Sequence, residues 1–227
     1  MKRFFPFAII VIVLAGALAA GWYWWKATDK SSASEPSNSG IPPVAASSPA
    51  PGAEPPHVRG SETAPVTLEE FGDFECPSCG LFYPVLKTIE GEYGARLRVI
   101  FRELPLTTPH PHALAAAHAA EAAGMQGKFW EMHDLLYENQ ETWAKALDVR
   151  PVFEGYAGRL GLSVERFKQD QTSETVENRI FLDGLRVHSL GIQGTPTVFI
   201  NGHPIPYEEF RTVEALRASI DKALAKQ

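Results

Sequence analysis

Three stretches with different hydrophobic patterns make up the chain. Phe4 to Trp25 is a run of 22 residues without a charge, behind Lys2 and Arg3. Lys26 to Pro56 is rich in Ser, Pro and Ala and holds almost no large apolar residue. From about His57 to Gln227, apolar positions recur at the spacings of strands and helices.

Within the third stretch, Val66-Thr67-Leu68-Glu69-Glu70-Phe71 reads as a strand. Pro77 opens a helix with Leu81, Phe82, Val85, Leu86 and Ile89 as its apolar positions. A kink is expected at Pro84 and an end at Gly94. Arg96 to Glu103 alternates well enough for a second strand, and Thr197–Ile200 gives a third. Asn201-Gly202 is a hairpin signal leading to a fourth strand near His203-Pro204-Ile205. A final helix is expected from Tyr207 onward, with Val213, Leu216, Ile220 and Leu224 on one face.

The intervening stretch, about 106–191, reads as helices. Ala113 to Ala123 is Ala-rich, with Gly124 as its expected C-cap. Phe129, Met132 and Leu136 stripe the next helix, beside Trp130, His133 and Tyr137. Pro151 to Leu160 stops at Gly161, and Val176, Ile180 and Leu185 mark a longer helix ending near Gly191. Trp130 and Trp143 are expected in the core or at a subdomain boundary. The fold class is α/β with an inserted helical subdomain.

The first stretch is long enough to cross a bilayer: at 1.5 Å per residue a helix of that length covers roughly 33 Å. Trp22-Tyr23-Trp24-Trp25 sits where an interfacial aromatic belt belongs, and Lys2-Arg3 favours a cytoplasmic N-terminus. A signal anchor over residues 1–25 is expected. A cleaved signal peptide is the alternative, since Ala17-Leu18-Ala19 fits a small-residue cleavage pattern. On either reading the remainder faces an oxidising compartment. The second stretch, residues 26–56, is expected as a partly extended tether.

The net charge of −6 in 227 residues argues against a nucleic-acid partner, which would need clustered Lys and Arg. There are only two cysteines, Cys76 and Cys79. They follow a strand and open a helix, in Phe74-Glu75-Cys76-Pro77-Ser78-Cys79. A thiol at a helix N-terminus meets unpaired N–H groups and the positive end of the dipole, so its thiolate is favoured. Cys79, one turn later, is then the resolving sulfur. A structural disulfide over so short a loop would stabilise little. A zinc site would need two more ligands from His110, His112, His118 or His133, and no metal is expected. His110 and His112 flank Pro111 at a helix start and are expected as capping or surface residues.

The segments Glu70-Phe71-Gly72-Asp73-Phe74-Glu75-Cys76-Pro77-Ser78-Cys79 and Gly194-Thr195-Pro196-Thr197-Val198-Phe199-Ile200-Asn201-Gly202 resemble the two signatures of DsbA-like thiol–disulfide oxidoreductases. Gln126 to His133 is similar to that family's helical insertion, and the resemblance spans about Val58 to Leu224. It implies a thioredoxin fold with an inserted helical subdomain over residues 57–227. It implies a cis bond before Pro196, lying against the active disulfide and leaving the backbone of Thr195 open to a substrate strand. It also implies a buried carboxylate beneath the cysteines, matched by Glu70, that shuttles the proton of Cys79. Ser78, with Pro77 the dipeptide between the cysteines, departs from the His of the best-known DsbA. One cationic stabiliser of the thiolate is therefore missing.

These readings converge on a disulfide-donating oxidase for exported proteins. It would work as a monomer without a cofactor beyond Cys76–Cys79, recycled by a membrane quinone-linked partner as the resemblance implies. A reductase or isomerase on the same fold, and a peptide-binding chaperone without redox turnover, are the alternatives.

Overall fold

The computed structural model describes residues 48–226. The expected signal anchor and most of the tether lie outside the described residues. Among those described, no helix is long and apolar enough to cross a membrane.

A five-stranded sheet carries the fold: β1 (His57–Gly60), β2 (Val66–Gly72), β3 (Leu97–Glu103), β4 (Thr197–Ile200) and β5 (His203–Ile205), in the order β1-β3-β2-β4-β5. Helix α1 (Pro77–Tyr93) crosses from β2 to its parallel neighbour β3. All other pairings are antiparallel. Asn201 and Gly202 both have positive φ, as the two-residue turn between β4 and β5 requires. Six helices stand between β3 and β4: α2 (Ala113–Gly124), α3 (Phe129–Glu138), α4 (Gln140–Trp143), α5 (Arg150–Arg159), α6 (Val164–Asp170) and α7 (Glu174–Leu190). Helix α8 (Val213–Leu224) ends the fold.

Strand alternation sorts the sheet into two covered faces. Val66, Leu68, Leu97, Val99, Val198 and Ile200 pack with Phe82, Leu86 and Ile89 of α1 and Leu216 and Ile220 of α8. Further along the same face, Phe101 joins Phe74 and the buried alanines, Met132 and Leu136 of α2 and α3. The opposite face carries Phe71 and Phe199 against Val187 of α7. Trp143 is fully buried in the helical block.

Several local expectations change. Helix α1 runs through Pro84 unbroken as one element, and its buried positions are Cys79, Phe82, Leu86, Ile89 and Tyr93, leaving Leu81 70% exposed. Helix α2 includes Gly124, and the positive-φ residue that closes its end is Gly127, while Lys128 N–H returns to the carbonyl of Ala123. In α7 the buried positions are Val176, Asp183 and Val187, and Leu185 is exposed, because Asp183 is spoken for by polar partners. The last helix starts at Val213 behind its Thr212 cap; Tyr207–Glu209 is a separate short turn of helix.

The end of the expected tether belongs to the folded body. Ala53 is buried; its N–H donates to Asp183 at 2.8 Å and its carbonyl accepts from Arg102 at 2.7 Å. Arg186 donates to the Ala50 carbonyl and Arg179 to that of Pro55. Composition misses this because backbone carbonyls and arginines, not apolar side chains, hold the segment.

Candidate active site

Strand β2 delivers Cys76 to the N-terminus of α1. Asp73 makes the turn between them: its carbonyl accepts from Cys76 N–H and its carboxylate accepts from the N–H groups of Glu75 and Leu106. His110 Nδ1 bonds the same carboxylate at 2.7 Å, and the Glu75 carboxylate accepts from His112 N–H. His110 therefore ties the loop after β3 to the cysteine loop, and His112 stands at the N-cap position of α2, in keeping with the expected capping or surface placement of the pair. Gln140 donates from one amide nitrogen to the carbonyls of Phe74 and Cys76. A Cβ at position 80 would lie 2.3 Å from the Gln140 side-chain oxygen, so a larger residue there would push the Gln140 amide aside.

Cys76 is the N-cap residue and Pro77 the first helical residue, whose missing N–H costs nothing there. Both cysteines are free thiols and both are buried, Cys79 completely and Cys76 with 6% exposed. Pro77 beside them is exposed and Ser78 half-buried. Cys76 Sγ lies 3.6 Å from the carbonyl oxygen of Thr195, and the Thr195–Pro196 bond is cis.

The two sulfurs are pushed in opposite directions. A hydrogen bond from the Cys79 thiol is the main cause that lowers Cys76 to about 5. Burial opposes it; the Thr195 side chain and the N–H groups of Cys79 and Ser78 reinforce it. Thr195 Oγ1 is buried with no partner of its own, so it can donate to the thiolate. Burial raises Cys79 well above the ordinary thiol range, helped by the hydrogen bond it gives Cys76 and by the charge of Glu70.

Glu69 and Glu70 sit on opposite faces of β2, and both are buried because both faces are covered. Glu69 is held by Arg102 at 2.9 Å and Arg186 at 2.7 Å against α7. Glu70 points to the α1 face. Burial raises it to about 8, with the charges of Glu90 and Cys76 adding to the shift. It is thus largely protonated near neutral pH.

Asp73, Glu75 and Gln140 were not singled out in the sequence. The two carboxylates beside the cysteines were a readable signal; Gln140, in a different subdomain, had none. Among the described residues, no group of three or more His, Cys, Asp or Glu side chains is placed to hold a metal ion.

Comparison with known proteins fits this geometry. The family model described as thioredoxin matches residues 53–222. The chain belongs to that family, as a DsbA-like member. Oxidised BdbD from Bacillus subtilis superposes with a TM-score of 0.66 and 25% identity, covering 77% of this chain and 97% of that one. Wolbachia pipientis α-DsbA1 shares the fold, with a TM-score of 0.64, 21% identity and coverage of 76% and 92%. In sequence, the chain is 42% identical over 170 residues to a protein of Salinispora arenicola named Na(+)/H(+) antiporter NhaA 1. That match covers 74% of this chain and 25% of the relative, so the chain spans about a quarter of the relative's length. The DsbA-like thioredoxin fold with its helical insertion, read from the two signatures, is the fold observed.

Proposed function

We propose that this DsbA-like protein donates disulfides to exported proteins through Cys76 and Cys79. The opposite displacement of the two thiols carries the reading: Cys76 lowered to about 5 and Cys79 raised well above its ordinary value. A substrate thiolate attacks Cys76 Sγ in the disulfide form, and the electron pair of the broken S–S bond passes to Cys79. A second substrate thiolate then attacks the substrate sulfur of the mixed disulfide. The substrate leaves with a disulfide, and Cys76 departs as a stabilised thiolate. Stabilising that leaving group favours donation over reduction. Neutral Ser78 makes the pair less oxidising than a histidine in that place would.

The Thr195 carbonyl, next to Cys76 Sγ, supplies an acceptor for a substrate strand. Exposed Pro77 and Leu81 offer apolar contact beside it. Glu70 supplies the proton that Cys79 takes up. Residues 4–25 anchor the domain to the cytoplasmic membrane, which places it in an extracytoplasmic, oxidising space and near a membrane quinone-linked reoxidant. The stretch shared with a protein named as an antiporter supports work beside a membrane.

Oxidative refolding of a reduced, multi-cysteine substrate, run beside insulin reduction and reshuffling of a scrambled substrate, tests the direction. Net oxidation without ready reshuffling is expected. Ready reduction or reshuffling with no oxidation would establish the reductase or isomerase alternative.

A further inference from the structure

A buried carboxylate and a histidine, both unused in the reaction above, hold the cysteine loop from behind. Asp73 stands three residues before Cys76, and its side chain is 0% exposed. A carboxylate taken fully out of water is costly unless donors reach its oxygens. Here Oδ1 accepts from Glu75 N–H at 2.8 Å, and Oδ2 accepts from Leu106 N–H at 2.9 Å. The third partner is His110 Nδ1, 2.7 Å from Oδ2. A carboxylate can only accept, so Nδ1 carries the proton of that bond. Of the three partners, His110 alone contributes a side chain.

The backbone of Asp73 meets both cysteines. Its carbonyl accepts from Cys76 N–H at 3.1 Å, and its own N–H donates to the sulfur of Cys79. A shift of this one residue therefore reaches the N-cap of α1 and the resolving thiol together.

His110 is itself fixed. Its N–H donates to the Leu106 carbonyl at 3.1 Å, and its carbonyl accepts from Ala113 N–H, at the start of α2, at 3.2 Å. Pro109 and Pro111 on either side restrict the backbone further. Two more bonds close the frame between the loops. Leu104 N–H donates to the Gly72 carbonyl at 2.9 Å, and His112 N–H donates to the Glu75 carboxylate at 2.5 Å. A rigid turn thus presents the ring to Asp73, with 16% of the side chain exposed.

We propose that His110 is a positioning residue for the redox pair: through its bond to Asp73 it holds the cysteine loop in the geometry that lets Cys76 leave as a thiolate. The inference rests on the Cys76–Cys79 redox reading and deepens it. The N–H groups of Ser78 and Cys79 face the Cys76 sulfur only while the turn at Asp73 delivers Cys76 squarely to the start of α1. Without the ring, Oδ2 keeps one donor from a backbone loop, and the turn relaxes. The thiolate then loses part of its support, and the disulfide becomes a weaker oxidant.

The test measures the equilibrium of the Cys76–Cys79 pair with glutathione, and alkylation of Cys76 against pH, in the full-length protein, His110→Ala and His110→Asn. Asparagine offers a side-chain N–H close to where the ring Nδ1 stands. His110→Ala should shift the equilibrium about tenfold towards the disulfide form, roughly 30 mV for this two-electron couple. The alkylation midpoint should rise with it, and His110→Asn should restore both. A purely structural role would lower the unfolding midpoints of both redox forms alike and leave these two readouts unmoved. Unmoved readouts in His110→Ala overturn the proposal, and so does a shift that His110→Asn fails to restore. Should His110→Ala not fold, the wild-type protein decides. The His110 ring resonances should then differ between the disulfide and dithiol forms, while those of His188, exposed on α7, should not. A His110 signal blind to the redox state overturns the proposal. A wild-type pair that does not exchange with glutathione at all would instead remove the redox reading itself.

Discussion

The sulfur of Cys76 lies 3.6 Å from the carbonyl oxygen of Thr195, a residue 119 positions downstream. One element brings a nucleophile to a helix N-terminus, and another brings backbone and a hydroxyl against it. The site exists only where the two signatures meet.

The Thr195 hydroxyl is expected to hold the Cys76 thiolate down. Thr195→Val keeps the shape and removes the donor. It should raise the Cys76 pKa by about one unit, a change worth about 1.4 kcal/mol. Thiolate absorbance against pH measures this, and an unmoved midpoint would show that the hydroxyl does not donate.

Much of this was legible because it is local. The strand before Cys76, the helix after Pro77 and the Asn201-Gly202 turn are each signalled by neighbouring residues. Strand β1 was not, because His57-Val58-Arg59-Gly60 has no alternation of apolar side chains. The burial of Glu69 was not, because its partners Arg102 and Arg186 are 33 and 117 residues away.

The reduced protein should gain stability over the oxidised protein as pH rises. The reduced native state holds Cys76 at about 5 against an ordinary 9.0, so between those values the unfolded chain binds more protons. The gain is absent below pH 5 and accumulates up to pH 9, at no more than about 1.4 kcal/mol per pH unit. The disulfide form has no such thiol, and the contribution of Glu70 largely cancels between the two. Denaturant midpoints of both forms across this range check the sign; a difference that shrinks with pH would contradict it.

Glu70 works the other way. Its folded pKa is raised from 4.5 to about 8, so it favours the fold below 4.5 and that support is lost as pH rises through 8. Glu70→Gln should therefore be increasingly stabilising relative to wild type across that window, by a few kcal/mol at most. Equal effects at both ends of the window would mean that the carboxyl is not buried neutral.

Gly72→Ala should destabilise the fold by about 1–3 kcal/mol, because overpacking a filled core costs that much. The new Cβ would meet the Phe101 ring at 2.4 Å and the Tyr137 hydroxyl at 3.0 Å. Thermal unfolding measures the loss, and a wild-type midpoint would show that the ring has room to move.

The asymmetry of the two sulfurs is the centre of the account, and one measurement reaches it directly. Stopped-flow alkylation of the reduced protein against pH, with the labelled residue located by mass spectrometry, reads each thiol separately. The predicted result is a single reactive thiol, Cys76, with a midpoint near 5, and Cys79 silent at neutral pH. A midpoint near 9, or equal labelling of Cys76 and Cys79, would contradict it.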